Sequence, residues 1–214
     1  AIAVDPNGYI YTTGQFRVAA DFDPGPGTYN LSALGSTNIF VSKLDASGNF
    51  VWAKQMGGTG SDAGNKICVD QSGNVYTTGY FSSLAADFDP GPGTYTLSSA
   101  GNVDLFVSKL DGNGNFLWAI KVGGTAGEVG YGMIIDASGN VYTTGLLGSE
   151  SSGADFDPGP GVLMLYGDGA FVYKLDPLGN LVWAKALKEA PLTFSGGSGS
   201  SIALDAAGNI YTTG

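Results

Sequence analysis

The chain has 214 residues, 43% of them hydrophobic, so it is long enough and apolar enough to fill a substantial core. It carries 9 Lys and Arg against 19 Asp and Glu, a formal net charge of −10. This acidity argues against nucleic acid as a partner, because phosphate binding needs a basic patch. No apolar run reaches the roughly 18 residues that a membrane-spanning helix needs.

The side chains that serve many enzyme and zinc sites are scarce. His is absent and Cys68 is the single cysteine. This excludes an internal disulfide, a His/Cys zinc site and a Ser-His or Cys-His nucleophile pair. Because other repeats place Ala3, Ile134 and Ala203 at the same position, we predict that Cys68 is a small buried core residue.

A repeat runs in register along the chain. Its turn-opening aspartates, spaced by 65, 66 and 69 residues, are Asp5, Asp70, Asp136 and Asp205. We predict three full repeats and a half repeat, with boundaries at 1–65, 66–131, 132–200 and 201–214. Three and a half such units would leave apolar surface open to water, so we predict a segment of a longer chain.

Each repeat contains four short β-prone runs. In the second repeat they lie at residues 66–69, 75–81, 105–110 and 116–122. No stretch shows sustained 3.6-residue apolar periodicity, and 36 glycines interrupt the sequence throughout. The fold class we predict is all-β, with four antiparallel strands in each repeat.

Two joints in each repeat are short and two are long. Asp-x-x-Gly-Asn links runs one and two and again runs three and four. The Asp accepts a backbone N–H two residues on and the Gly takes positive φ, which predicts tight hairpins rather than metal loops. Because joints alternate along a four-stranded meander, we expect the short turns at one end of the sheet and the long connections at the other. Loops on a rigid scaffold are where binding sites concentrate.

Four-stranded units with strands apolar on both faces favour a β-propeller, in which sheets pack face to face around an axis. Two aromatic positions recur in register and are predicted to pack between blades. They are Trp52, Trp118 and Trp183 in run four, and Phe40, Phe106 and Phe171 in run three.

Two motif strings carry a family resemblance. They are Asp-x-x-Gly-Asn-x-Tyr-x-Thr-Gly and Phe-Val-x-Lys-Leu-Asp-x-x-Gly-Asn-x-x-Trp-Ala, and the resemblance that they carry extends over essentially all 214 residues. They resemble the bacterial SBBP ("seven-bladed β-propeller") repeat, from whose short form this chain differs by an insertion. The resemblance implies a propeller, often in secreted or surface proteins, and no general catalytic activity.

The insertion carries the heptapeptide Asp-Phe-Asp-Pro-Gly-Pro-Gly, at residues 21–27, 87–93 and 155–161. Its two carboxylates lie on one side of an extended segment, with the Phe between them turned toward the protein. Ca²⁺ binds about 6–8 oxygens from carboxylates, carbonyls and water. The candidate calcium ligands are Asp21, Asp23, Asp87, Asp89, Asp155 and Asp157.

The alternative is that these carboxylates only cap and close rigid turns. Asn38 and Asp104, each two residues before the phenylalanine of run three, would add oxygens in the first two repeats. Asp168 is shifted by one position in the third repeat, which weakens the metal pattern there.

The sequence favours a non-catalytic structural or adhesive segment of a larger extracellular or bacterial cell-surface protein. Paired carboxylates recur in every repeat, whereas an active site is one asymmetric spot, so we predict no enzyme. The predicted partners are further blades of the same longer chain and a surface glycan or protein.

The alternative is a ligand-binding propeller that recognises a glycan or protein through the long-loop face. Exposed aromatics would serve there, and Tyr29, Tyr95 and Tyr166 are the candidates. The third repeat differs from the others by an insertion at residues 149–153 and a longer connection at 188–200, which we interpret as loop variation.

Overall fold

The computed structural model describes residues 1–188 and 197–214, with the side chains of 149–151 and 188 excepted. Most of the connection at 188–200 therefore lies outside the described residues. Within them the chain forms only strands, turns and bends, so no helix capable of crossing a membrane is found there. The all-β prediction is confirmed.

The strands are, in chain order, β1 (Ile2–Val4), β2 (Ile10–Phe16), β3 (Ala19–Asp21), β4 (Asn30–Ser32), β5 (Asn38–Leu44), β6 (Phe50–Met56), β7 (Asp62–Val69), β8 (Val75–Phe81), β9 (Ala86–Asp87), β10 (Thr96–Leu97), β11 (Asp104–Leu110), β12 (Phe116–Gly124), β13 (Glu128–Ile135), β14 (Val141–Asp155), β15 (Met164–Leu175), β16 (Leu181–Lys188), β17 (Ser201–Leu204) and β18 (Ile210–Thr213).

Antiparallel pairing joins fourteen of these strands into three runs of four and a hairpin, and the other four form two short ladders, β3 with β4 and β9 with β10. The first unit has the order β1-β2-β5-β6, the second β7-β8-β11-β12 and the third β13-β14-β15-β16, and β17 pairs with β18. A two-residue ladder between β12 and β14 joins the second and third units into one sheet. Their arrangement around a common axis and the number of blades stay predictions.

The short turns close as the sequence predicts. In the turn after β7, Asp70 Oδ1 accepts the backbone N–H groups of Ser72 and Asn74, both at 2.9 Å. Its Oδ2 accepts the Asn74 side-chain amide at 2.7 Å and the Tyr76 hydroxyl at 3.1 Å. Gly73 has φ of 80°, where an L side chain is strained. One carboxylate thus fixes both the turn and the first aromatic of the next strand.

Successive sheets pack face to face. One core cluster joins Tyr11 and Ile39 of the first unit to Ile67 and Phe106 of the second, and another joins the second unit to the third. Val75 belongs to the first of these clusters. Its neighbours in sequence face the opposite sheet, since alternate residues of a strand point to opposite faces. Burial on both faces explains why the strand shows no in/out alternation.

The recurring aromatics lie between units. Trp52, Trp118 and Trp183 pack against three successive core clusters, and each ring meets a tyrosine edge-on at 6.2–6.4 Å. Phe106 and Phe171 are fully buried, whereas Phe40 is partly exposed. Cys68 is partly buried against the second cluster, and its thiol donates to the carbonyl oxygen of Met133 in the next unit at 3.2 Å. Inter-unit packing is confirmed for Trp52 and Trp118, whose indole N–H groups donate to carbonyl oxygens of the next unit, Gly112 and Pro177.

Candidate functional site

The first aspartate of each heptapeptide ties the two ends of the insertion together. Asp21 Oδ1 accepts the backbone N–H of Asp23 at 3.0 Å and of Tyr29 at 2.8 Å. The Phe22 N–H donates to the carbonyl oxygen of Tyr29 at 2.9 Å. The other copies repeat this geometry, with Tyr95 and Leu163 in the place of Tyr29. The carboxylate therefore closes an eight-residue loop.

The second aspartate closes the turn inside that loop. Asp23 Oδ1 accepts the Gly25 N–H at 2.8 Å, and Asp89 and Asp157 do the same with their own glycines at 2.8 Å. A β-carbon on Gly27 would collide with Asp23 Oδ2, so a larger residue there would displace the Asp23 carboxylate from this position. These hydrogen bonds are the ones expected of carboxylates that cap and close turns, which is the alternative to metal binding.

The hydrogen bonds favour the charged form of Asp21. Backbone N–H donation, from Tyr29 first and Asp23 second, lowers the pKa of Asp21 below its usual range. In each heptapeptide the Oδ2 atoms of both aspartates accept no hydrogen bond from the described residues. These oxygens are the ones a hard cation would have to use.

The phenylalanine of each heptapeptide turns inward, which confirms the predicted orientation. Phe88 is fully buried, with ring centroids 5.4 Å from Phe81 and 5.0 Å from Phe106. Phe156 is also fully buried and lies against Phe171. Phe22 is only partly buried. The heptapeptide is thus a turn anchored by its middle aromatic.

The heptapeptide also contacts the preceding unit through its backbone. Gly57, at the end of the first unit, donates to the carbonyl oxygen of Asp87 at 2.9 Å, and Asp87 donates back at 3.0 Å. The next interface repeats this pairing between Gly123 and Asp155. The motif therefore fastens neighbouring sheets together.

The further oxygens considered for a metal site are used elsewhere. Buried Asn38 accepts the Leu34 N–H at 2.7 Å, and buried Asp104 forms an ion pair with Lys121 at 3.2 Å. Asp168 lies in β15 opposite Gly148. Across residues 1–188 and 197–214, no three His, Cys, Asp or Glu side chains are placed to hold one ion. Calcium binding by the heptapeptides stays a prediction.

The insertion does not stay at the end of the sheet opposite the short turns. Tyr29 stacks on Phe50, the first residue of β6, with ring centroids 4.8 Å apart. A cleft of about 350 Å³ beside this pair is lined by residues 23–26 of the heptapeptide and by Gly48 and Asn49 of a short turn. The expected separation of long and short loops is therefore wrong here, because the long connection folds back along the outer strand.

Both members of the aromatic pair between the insertion and the outer strand are replaced together in the third unit. Tyr95 stacks on Phe116 at 4.8 Å in the second unit, and leucines occupy both positions in the third, Leu163 and Leu181. Tyr166, 48% exposed, is therefore not the counterpart of Tyr29 and Tyr95, which are 38% and 41% exposed. An aromatic pair replaced by an aliphatic pair fits packing between the insertion and the outer strand.

Sequence reasoning assigned no role to a lysine that recurs in every third strand. Lys109 Nζ lies 4.8 Å from the ring centroid of Tyr76 and donates to the carbonyl oxygen of Pro177 in the next unit at 3.5 Å. Burial lowers the pKa of Lys109, opposed by the charge of Asp70. The sequence could have pointed to this lysine, since it recurs in the Phe-Val-x-Lys-Leu string, inside an otherwise apolar strand.

Comparison with known proteins supports the repeat organisation predicted from the sequence. Residues 51–80 match the SBBP family model, described as a beta-propeller repeat. An uncharacterised WD repeat-containing protein of Acanthamoeba polyphaga mimivirus is 33% identical over 128 residues, which cover 56% of this chain and 9% of that protein. The regulatory protein FlaEY of Caulobacter vibrioides is 26% identical over 149 residues, 69% of this chain and 15% of that protein. This chain therefore spans a small part of both relatives, and the family that its residues 51–80 match is the SBBP beta-propeller repeat.

Proposed function

We propose that the chain is a non-catalytic scaffold segment of a larger secreted or bacterial cell-surface protein, in which propeller blades serve a structural or adhesive role. One observation carries the proposal: the acids that recur in every unit are used to close turns, as Asp21 and Asp70 do. A catalytic carboxylate needs a pKa matched to its task and a free face toward a substrate. The likeness to repeat proteins supports the scaffold role.

Surface location is tested in intact cells that produce the protein. Cells are treated with protease and then probed with an antibody raised against this chain, with a cytoplasmic protein as the control. Loss of the antibody signal while the control survives supports the proposal. Survival of both, followed by loss of both after lysis, would place the repeats inside the cell and refute the surface role.

Calcium stabilisation of the heptapeptides is a separate proposal. It is supported by two Oδ2 oxygens in each loop that take no hydrogen bond from the described residues. Thermal unfolding is measured in EDTA, in Ca²⁺ and in Mg²⁺. A rise in Tm specific to Ca²⁺ that disappears in the triple variant Asp23→Asn, Asp89→Asn and Asp157→Asn supports it, since metal binding stabilises only the folded state.

Asp45→Asn is the matched control for that experiment, because Asp45 closes a short turn outside the heptapeptides. An unchanged Tm at millimolar Ca²⁺ would assign the heptapeptides to turn closure alone. A rise that Asp45→Asn also removes would assign the ion to a different place.

The alternative function, recognition of a glycan or protein, is favoured by the cleft beside Phe50. Its lining combines an aromatic face with the carboxylate of Asp23 and the amide of Asn49, a combination that suits a polyhydroxylated ligand. A glycan array probed with the chain and with Phe50→Ala tests it, with Leu181→Ala as the matched control. Binding lost only in Phe50→Ala supports this function.

A further inference from the structure

A cavity of about 440 Å³ lies between the second and third units, on the side of the short turns. Its lining comes from the β7–β8 turn and the β13–β14 turn, together with Tyr76, Lys109 and Pro177. The volume is within the range of small-ligand sites, about 300–1,000 Å³. All of the lining residues belong to these two units, so the cavity is distinct from the cleft beside Phe50, which belongs to the first unit.

The amino group of Lys109 is the cation of this cavity. Lys109 Nζ lies 4.8 Å from the ring centroid of Tyr76. Among residues 1–188 and 197–214, its one hydrogen bond is the long contact of 3.5 Å with the carbonyl oxygen of Pro177. A lysine ammonium group has three N–H donors. Two of them are therefore available to a molecule in the cavity.

The first unit has a closed version of this place. Lys43, at the same position of its third strand, donates to the carbonyl oxygen of Gly112 at 3.0 Å and lies 4.2 Å from the ring centroid of Tyr9. Tyr9 stands where the second unit has Asn74, whose amide is held by the aspartate of its own turn. Lys43 is accordingly buried, whereas Lys109 is half-buried. An additional ring thus covers the ammonium group in the first unit and leaves it open in the second.

Two carboxylates line the cavity, and both are saturated with hydrogen bonds. Asp136 Oδ1 accepts the backbone N–H groups of Ser138 and Asn140, both at 2.9 Å. Its Oδ2 accepts the Asn140 amide at 2.7 Å and the Tyr142 hydroxyl at 3.1 Å. Asp70 makes the same four bonds in its own turn. Because a carboxylate offers about four lone-pair sites, these oxygens repel an anion but have no site left for a cation.

The rim of the cavity carries polar groups that are free to bind a ligand. Gln71, Ser72 and Ser138 line it and are exposed. Within the described part of the chain, their side chains make no hydrogen bond. An amide and two hydroxyls can each donate and accept, and Val69 and Ile135 add an apolar wall beside them. The lining therefore combines hydrogen-bonding groups of both kinds with an apolar surface.

We propose that this cavity, which we call the Lys109 cavity, binds a small neutral saccharide. Lys109 donates to hydroxyl oxygens of the sugar, the rim side chains exchange hydrogen bonds with its other hydroxyls, and the apolar wall packs against its C–H groups. An anionic ligand is disfavoured by two carboxylates against one ammonium group, and a cationic ligand by that ammonium group. The site adds a binding activity to the scaffold and depends neither on the scaffold role nor on the cleft beside Phe50.

Calorimetric titration with sugars of different charge tests the proposal. The probes are glucose, mannose and galactose, each with the uronic acid and the amino sugar derived from it. We expect at least one neutral sugar to bind, and both of its charged derivatives to bind more weakly. Binding by none of the three neutral sugars at tens of millimolar, or tighter binding by a charged derivative, would overturn the proposal.

Site variants locate the bound sugar. Lys109→Met should weaken binding by at least about tenfold, because hydrogen bonds from a charged donor are lost. Asn74→Tyr copies the residue that the first unit already accommodates, so it should fold, close the cavity and abolish binding. Lys43→Met is the matched control and should leave the affinity unchanged, because Lys43 is covered. Binding that survives Lys109→Met and Asn74→Tyr but is lost in Phe50→Ala would refute the Lys109 cavity and assign the sugar to the first unit.

Fluorescence of Trp118 gives an independent readout next to the cavity. Its Nε1 donates to the carbonyl oxygen of Pro177 that Lys109 also uses, at 3.2 Å. With Trp52→Phe and Trp183→Phe, Trp118 is the single indole of the chain. Its emission should change on titration with the sugar, with the same Kd as in calorimetry. Unchanged emission at saturation would place the sugar elsewhere and overturn the proposal.

Discussion

Replacing Phe88 by alanine tests whether the heptapeptide is an anchored turn. Phe88 is 0% exposed and lies between Phe81 and Phe106, with ring centroids at 5.4 and 5.0 Å. Removing such a side chain from a closed core costs about 3–5 kcal/mol in the free energy of unfolding. Phe22 has the same place in its heptapeptide but is only partly buried. We expect Phe22→Ala to cost about 2 kcal/mol or less, because less apolar area returns to water.

Thermal and urea unfolding followed by circular dichroism and by tryptophan fluorescence measure both variants. For a chain of this size, each kcal/mol shifts the Tm by about 2–4 °C, so Phe88→Ala should lose roughly 6–20 °C. The two probes should give coincident transitions, and the urea m-value should match that of the parent chain, so that the comparison reports stability alone.

Equal losses at Phe22 and Phe88, or a loss at Phe88 below about 1 kcal/mol, would refute anchoring by burial. The experiment is repeated in EDTA and in Ca²⁺. Anchoring by burial predicts the same difference between the variants in both, whereas a loss at Phe88 seen only in Ca²⁺ would mean that the aromatic acts by shaping an ion site.

Three further predictions concern other parts of the repeat. The Asn49 side-chain amide, followed by its backbone N–H, lowers the pKa of Asp45, and Asn209 does the same for Asp205. These carboxylates therefore contribute fully to stability above the unfolded pKa of about 3.9, and the contribution is lost as the pH falls through their lower pKa values in the folded protein. The free energy of unfolding should consequently decrease less steeply on acidification in Asp45→Asn than in the parent chain. Burial raises the pKa of Cys68 to about 11, so its alkylation at pH 8 should be roughly a hundredfold slower than in guanidinium; equal rates would contradict its burial. Finally, Tyr95→Leu and Phe116→Leu should show a coupling of about 0.5–1.5 kcal/mol in a double-mutant cycle, and strict additivity would contradict their stacking.

The turns and the inward aromatics could be predicted from the sequence because they depend on local chemistry. An Asp that accepts N–H groups two and four residues on, as Asp70 does, acts within five residues of chain. The Phe of Asp-Phe-Asp likewise has to point away from the two flanking carboxylates. The sequence names Tyr166 together with Tyr29 and Tyr95 as an exposed aromatic, but only the hydrogen bond from the Leu163 N–H to Asp155 identifies the residue of the third unit that takes the place of Tyr95.

The sequence by itself determined the four-stranded repeat, its tight turns and the aromatic positions that pack between units, since each follows from side-chain periodicity or turn geometry. Only the tertiary structure decided what fastens one unit to the next. The bonds between Gly57 and Asp87, and from Lys43 and Trp52 to Gly112, join residues at least 30 positions apart and use backbone acceptors. A backbone carbonyl is the same in every residue, so no letter of the sequence marks the one that a distant lysine and tryptophan will share.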